Sequence, residues 1–356
     1  MNFLKSVERS GKKALTFLLK LFIKQKLISV DSIDPSKIDK VLIIRQDRRI
    51  GNLVLTTPLI KKTKTILPDA EIDILIAKTN ESLCENNSHL NNIYTFDHKR
   101  FIKSPFGFFK LISTLRRNKY TLIIESSNPS GASFLNGYIS YLTKSPLRIG
   151  FDKGRSSIFT NVHITPDHTK HYYIIQQDLV SFLSNDKIYF KPEIFSNKAE
   201  IKQIKDLLRG NFGINNETKL IGIWVGARGK KKWDIENFKK LFYRISSETN
   251  YFPLLAFGIE EQEDFQNIDT EKYNSIQITD LKKLKSFISN CSVFICGDTG
   301  PLHFSFALST PTIGVFLEKN FVKYGYADGD KNFIINPANS DEMIGQIIST
   351  LTKILN

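Results

Sequence analysis

Residues 291–316 read CSVFICGDTGPLHFSFALSTPTIGVF. The apolar run Val293–Cys296 stops at Gly297-Asp298-Thr299-Gly300, Pro301 follows, and a second apolar run, Thr312–Phe316, starts after Thr310-Pro311. Two short apolar runs separated by one helix-length segment read as strand, helix and parallel strand. Gly297 frees the backbone at the end of the first strand. Asp298 or Thr299 is suited to cap the helix expected over Pro301–Leu308, and Pro301 suits its first turn. Thr299 and Gly300 then present a hydroxyl and N–H groups at a positive helix end, where an anion such as a phosphate binds. Asp298 would repel a phosphate and is better placed to grip sugar hydroxyls. His303 lies within the first turn, either as a donor to a phosphate oxygen or as a core histidine.

Outward from this unit the pattern repeats. Upstream, strands are expected at Leu220–Val225, Phe252–Phe257 and Ser275–Ile278, with helices at Ile235–Ser246, Leu281–Ser289 and, after the last strand, Asp341–Leu355. An earlier series has strands at Val41–Arg45, Ile72–Ala77, Ile93–Phe96 and Thr121–Glu125. Its helices are Leu53–Ile66, Pro105–Arg117, Ala132–Leu142 and His168–Leu183. Near-continuous apolar strands between amphipathic helices specify parallel sheets covered on both faces. The fold class is α/β, with two Rossmann-like doubly wound domains facing across a cleft. The expected divisions are 1–39, 40–190 and 191–356, and ligands belong outside the carboxyl ends of the strands.

The chain has 356 residues, 41% hydrophobic and 12% aromatic, enough for two cored domains. Its formal net charge of +14 favours an acidic partner. Three cysteines, Cys84, Cys291 and Cys296, form no disulfide framework and fit a reduced compartment. The segment 1–26 sets seven Lys and Arg against one acid, Glu8, around apolar residues at helical spacing. Its ten-residue run Ala14–Ile23 contains Lys20 and is too short to span a bilayer. It is read as a helix on an anionic membrane surface, or as one packed on its own protein with a solvated basic face.

Three further loops follow strands. The loop in VLIIRQDRRIGNLVLTTPLIKK (41–62) carries Asp47, Arg48, Arg49 and Gly51; it is neither GxGxxG nor a P-loop. Asp47 is its one carboxylate, free for chemistry or paired with a neighbouring arginine. GIWVGARGKKKWDIENF (222–238) places Gly226, Arg228 and Lys231 in a basic glycine loop suited to phosphate, and Asp234 as the next helix cap. LLAFGIEEQED (254–264) puts Glu260 at a loop edge, where an acid accepts hydrogen bonds from a nucleoside. Asp328-Gly329-Asp330 reads as a turn rather than a metal site, and His168 and His171 as surface or cleft residues.

Taken together, these loops resemble glycosyltransferase family 9, the ADP-heptose:lipopolysaccharide heptosyltransferases, over roughly residues 40–340. DTGPLHFSFALSTPTIGVF, RRIGNLVLTTPLI and KKWDIENF are similar to three of the family's motifs. The resemblance implies a GT-B fold, inversion of configuration, and no metal or other cofactor. It implies an ADP-heptose donor, a lipopolysaccharide inner-core acceptor, and a cytoplasmic enzyme peripheral on the inner face of the inner membrane. By the same resemblance Lys231 contacts the donor phosphate, in the loop where Gly226 and Arg228 are read as phosphate-binding, Glu260 meets the nucleoside, and Thr299 and Gly300 hold the pyrophosphate. Asp298 meets the heptose and His303 supports that loop; from the residues themselves, Arg48 and Arg49 suit an acceptor carrying phosphates or carboxylates, and Gly51 lets the backbone approach it closely.

The sequence departs from the family at Asn52, which stands where the family has its aspartate base. An amide does not take a proton at neutral pH. The expectation is that Asp47 is the base and Asn52 orients the acceptor. The alternatives are the same fold with another nucleotide sugar or acceptor, or a non-catalytic homologue that binds membrane or nucleic acid. No nucleic-acid motif appears, so no nucleic-acid partner is expected.

Overall fold

The computed structural model describes residues 23, 25–99, 105–131, 133–266, 268–269, 271–337 and 339–355. The basic segment 1–26 lies almost wholly outside the described residues, as does Ala132. Among the described residues, twelve strands form two six-stranded sheets, and every pairing is parallel.

The first sheet contains β1 (Lys40–Arg45), β2 (Glu71–Ala77), β3 (Asn92–Phe96), β4 (Leu122–Glu125), β5 (Leu147–Phe151) and β6 (Val162–Ile164), in the order β3-β2-β1-β4-β5-β6. The second contains β7 (Leu220–Trp224), β8 (Phe252–Phe257), β9 (Ser275–Gln277), β10 (Val293–Gly297), β11 (Thr312–Val315) and β12 (Asn332–Ile335), in the order β12-β11-β10-β7-β8-β9. Each sheet has the doubly wound order of a Rossmann fold. Strand order reverses between β1 and β4 and again between β7 and β10, and those switch points are where such sheets bind ligands. β7 and the Val41–Ile44 stretch of β1 are buried, which explains their unbroken apolar sequences.

The helices that matter for the sites are α1 (Ile50–Val54), α2 (Thr57–Ile66), α3 (Pro105–Arg117), α4 (Lys198–Phe212), α5 (Ile235–Glu248), α6 (Leu281–Asn290) and α7 (Gly300–Ala307). One helix was expected over Leu53–Ile66, but the chain breaks it into α1 and α2 at Leu55-Thr56. Pro58 lacks an N–H and clashes with a preceding turn, so it belongs in the first turn of a new helix. Periodicity missed β5, β6 and β12, which are short, and α4, where six of fifteen residues are charged. α4 carries its own signals: the Asn197 side chain accepts from Ala199 N at 2.8 Å, and Gly213 ends the helix at φ 68°.

By their contacts the described residues divide into two compact units. The first takes in those up to Arg48, then Thr56–Glu81 and Asn87–Lys191. The second takes in Arg49–Leu55, Ser82–Asn86 and those from Pro192 onward. Two short stretches from before the 190/191 division therefore pack with the second unit. Ser82–Asn86 is fastened there by Lys285 of α6, a buried lysine that donates to Ser82 O at 2.7 Å and Phe195 O at 3.0 Å.

Candidate active site

In the second unit, the residues after β7, β8 and β10 converge at the carboxyl edge of the sheet. The chain leaves β7 through Gly226 and makes a tight turn over Gly229–Lys231, with Gly229 at φ 61°. It enters α5 at Asp234, whose side chain accepts from Glu236 N at 2.9 Å. The turn aims Lys231 at Asp298, just past β10, and the two form a close ion pair. Asp298 is only 9% exposed, and the same carboxylate oxygen accepts from Asn320 Nδ2 at 2.5 Å. A small cavity beside the pair is lined by Gly226, Ala227, Lys231, Trp233 and Gly297.

Arg228 grips Glu260 through both carboxylate oxygens, with Nε to Oε2 at 2.6 Å. That fork holds the Glu260 carboxyl below its ordinary range. Glu260 is exposed; the buried acid is its neighbour Glu261, whose Oε2 accepts from Gly258 N at 3.1 Å. A Cβ on Gly226 would stand 2.6 Å from Glu261 Oε1, so the glycine makes room for that carboxylate.

Thr299 occupies the cap position of α7, but no side chain caps the helix. This corrects the expected capping by Asp298 or Thr299. Asp298 is committed to Lys231 and Asn320, and the Thr299 hydroxyl donates back to Gly297 O at 3.4 Å. Pro301 is in the first turn, as read. His303 is buried, and its Nδ1 shares a 2.8 Å hydrogen bond with Tyr326 OH. A Cβ on Gly51 would lie 2.5 Å from His303 Cδ2, and one on Gly300 would lie 2.5 Å from Ile50 Cγ1. The two glycines let α1 and α7 meet closely within this unit.

In the first unit, Arg45 ends β1 wholly buried. Its guanidinium donates to Ser126 O and reaches Tyr172 OH at 3.4 Å, and its Nε lies 2.8 Å from Asp47 Oδ2. Asp47 thus pairs with a neighbouring arginine while a third of its side chain stays exposed. Its carbonyl accepts from Asn80 Nδ2 at 3.1 Å. Arg48 and Arg49 are exposed. Reading by sequence missed a nearly buried ion pair here, Lys153 Nζ to Glu125 Oε2 at 2.9 Å, at the end of β4. Its one local signal is an acid closing the apolar run LIIE.

The family model of glycosyltransferase family 9 (heptosyltransferase) matches residues 108–343. The chain belongs to glycosyltransferase family 9. It is a glycosyltransferase with the GT-B fold. It is 22% identical over 299 residues to lipopolysaccharide heptosyltransferase 1 of Campylobacter coli, covering 78% of this chain and 83% of that one. Its structure matches the family 9 glycosyl transferase of Veillonella parvula with a TM-score of 0.73 and 19% identity, over 90% of this chain and 91% of that one. It also matches an E. coli heptosyltransferase with ADP-2-deoxy-2-fluoro heptose, with a TM-score of 0.65 and 16% identity, over 88% and 99% of the two chains.

The matched span of this glycosyltransferase includes Lys231, Glu260, Asp298 and His303 and begins after the loop that holds Asp47. Asp328 forms a turn, its Oδ1 accepting from the backbone N–H groups of Asp330, Lys331 and Asn332. His171 accepts from Tyr173 N at 3.3 Å as a helix cap. Among the described residues, no group of three or more His, Cys, Asp or Glu is placed to hold a metal, and no helix is long and apolar enough to cross a membrane. All three cysteines are free thiols and buried.

Proposed function

We propose that this glycosyltransferase transfers heptose from ADP-heptose to an inner-core lipopolysaccharide acceptor, with inversion at the anomeric carbon. The observation that carries the reading is the Lys231–Asp298 pair, set beside the uncapped start of α7 at the β7/β10 switch point. A lysine ammonium and helical N–H groups without a side-chain cap bind a diphosphate, and a buried carboxylate next to them binds sugar hydroxyls. The ADP-heptose analogue held by the E. coli relative supports the donor, and the Campylobacter relative's name supports the acceptor.

In this reading the acceptor hydroxyl gives its proton to Asp47 as its oxygen bonds to the anomeric carbon. The bond from that carbon to the diphosphate breaks, and ADP leaves with the electron pair. Lys231 and the N–H groups of Thr299 and Gly300 stabilise the charge on the leaving oxygen. Gly226 and Arg228 complete the phosphate loop, Glu260 accepts from the nucleoside, and His303 supports the start of α7. Asn52 orients the acceptor, and Arg48 and Arg49 pair with its anionic groups, beside Gly51. The basic segment 1–26 holds the enzyme at the cytoplasmic face of the inner membrane, where its acceptor is concentrated.

A thermal-shift series with ADP, UDP, GDP, CMP and NAD, followed by turnover of ADP-heptose on heptose-deficient lipopolysaccharide, tests this. Selective stabilisation by ADP with turnover is expected. Stabilisation by a different nucleotide would replace the donor. ADP binding without turnover would remove the assigned acceptor or the catalysis.

A further inference from the structure

We infer that the outer face of α3, led by Phe106 and Phe109, is an insertion surface for an anionic lipid bilayer. This inference is independent of segment 1–26 and of the donor site.

α3 has two distinct faces. Ile112 and Leu115 are buried in the core of the first sheet, with Phe108 and Leu111 packed against it. On the opposite side Phe106 is 82% exposed and Phe109 66% exposed. Lys110, Ser113 and Arg117 continue the same stripe at three- and four-residue spacing, and all three are exposed. Two phenylalanines on one exposed turn leave a large apolar area in water. No acidic residue occurs anywhere between Asp97 and Glu125. Apolar rings at one end of a helix, with cations behind them and no acid on the helix itself, complement a headgroup layer of negative charge over acyl chains. A protein partner's surface would more often meet both signs of charge.

The place of the stripe fits the same occupant. Phe108, one residue before Phe109, packs edge-on to Phe96, the last residue of β3, with ring centroids 6.3 Å apart. His98, just beyond β3, hydrogen-bonds Gln46 O at 3.1 Å. The aromatic end of α3 therefore lies at the carboxyl edge of the first sheet, where the Arg45–Asp47 loop also lies. A bilayer engaged there would bring a lipid-borne acceptor to that edge.

The test uses the full chain carrying Phe106→Trp, with vesicles of phosphatidylglycerol and phosphatidylethanolamine and with brominated-lipid versions of both. Trp224 and Trp233 are buried, so the new indole reports locally. A blue shift and quenching by brominated lipid are expected, and both should weaken with added salt. The double change Phe106→Ser with Phe109→Ser should lower vesicle partitioning about tenfold or more, as the loss of two buried rings implies, with the melting temperature unmoved. Vesicle binding with no quenching at position 106 would overturn the inference, because another element would then carry the contact. Equal quenching by neutral phosphatidylcholine vesicles would overturn the role of charge. Self-association through α3 without vesicle binding would overturn it in favour of a second copy.

Discussion

Gly51 and His303 are held so close that a single methyl group does not fit between them: a Cβ on Gly51 would meet imidazole Cδ2 at 2.5 Å. The contact ties α1, which carries Asn52, to the first turn of α7, which carries the start of the candidate donor site. Gly51→Ala should therefore destabilise the protein by about 1–3 kcal/mol, the usual cost of overpacking. Adding His303→Ala removes the obstructing ring, so the double variant should lose less than the two single losses combined. Urea denaturation of all four proteins measures this, and strict additivity would show that the two residues do not press on each other.

Lys231 is paired with Asp298, and in the proposed reading it turns toward the donor diphosphate. Lys231→Met should abolish most of the rise in melting temperature that ADP gives the parent protein, and lower turnover by about a hundredfold, as loss of a charge-stabilising group does. Asp298→Asn should keep ADP stabilisation but reduce turnover, since its carboxylate is assigned to the sugar. Loss of ADP binding in Asp298→Asn with none in Lys231→Met would reverse the two roles.

Asp47→Asn should lower kcat about 10²- to 10⁴-fold, the range of general-base catalysis, and leave stabilisation by ADP intact. Undiminished kcat in Asp47→Asn would move the base elsewhere; Glu125 is locked to Lys153 and Ser127 N and would not replace it.

Lys285→Met should cost about 1–3 kcal/mol for each carbonyl left without its donor, at Ser82 and Phe195. Burial holds the Lys285 ammonium below the ordinary lysine value of 10.5. A folded-state value below the unfolded one means that the unfolded chain binds the proton more tightly. The stability of the parent relative to the variant should then grow as pH rises toward 10.5, as urea midpoints at several pH values would show.

Cys84 behaves in the opposite sense. Burial pushes its thiol up to about 12 from an ordinary 9.0. The folded state keeps the proton, so this contribution is intact below pH 9 and is lost as pH rises from there toward 12. At pH 8 the native protein should resist iodoacetamide, with full labelling of all three cysteines only in denaturant, read by mass spectrometry. Rapid native labelling of Cys84 would mean that Ser82–Asn86 opens readily.

Much of the architecture was legible along the chain. Val293–Cys296, Phe252–Phe257 and Leu220–Val225 announce themselves because strands buried on both faces admit few polar residues. The segment from Gly297 to Pro301 is recognisable as a strand-to-helix handover because glycine freedom and proline's missing N–H are local properties. β5 and β6 were not legible: LRIGF mixes Arg148 and Gly150 into a strand too short for a period to emerge. Arg45, expected as a strand end, proved the most deeply buried charge of its loop, and nothing within a few residues of it foretells Ser126 and Tyr172.

The alternation of strands and helices, the division into two doubly wound sheets and the loops that carry chemistry are written along the chain. These follow from side-chain periodicity and backbone preference, which act between near neighbours. That Lys231 meets Asp298, that Arg228 takes Glu260 and leaves Glu261 to the interior, and that Gly51 lies against His303 come from the folded packing alone. Those partners sit on different crossover connections. Strand order and the close approach of α1 to α7 bring them together, and both are set by packing across the sheet, which no short window of sequence contains.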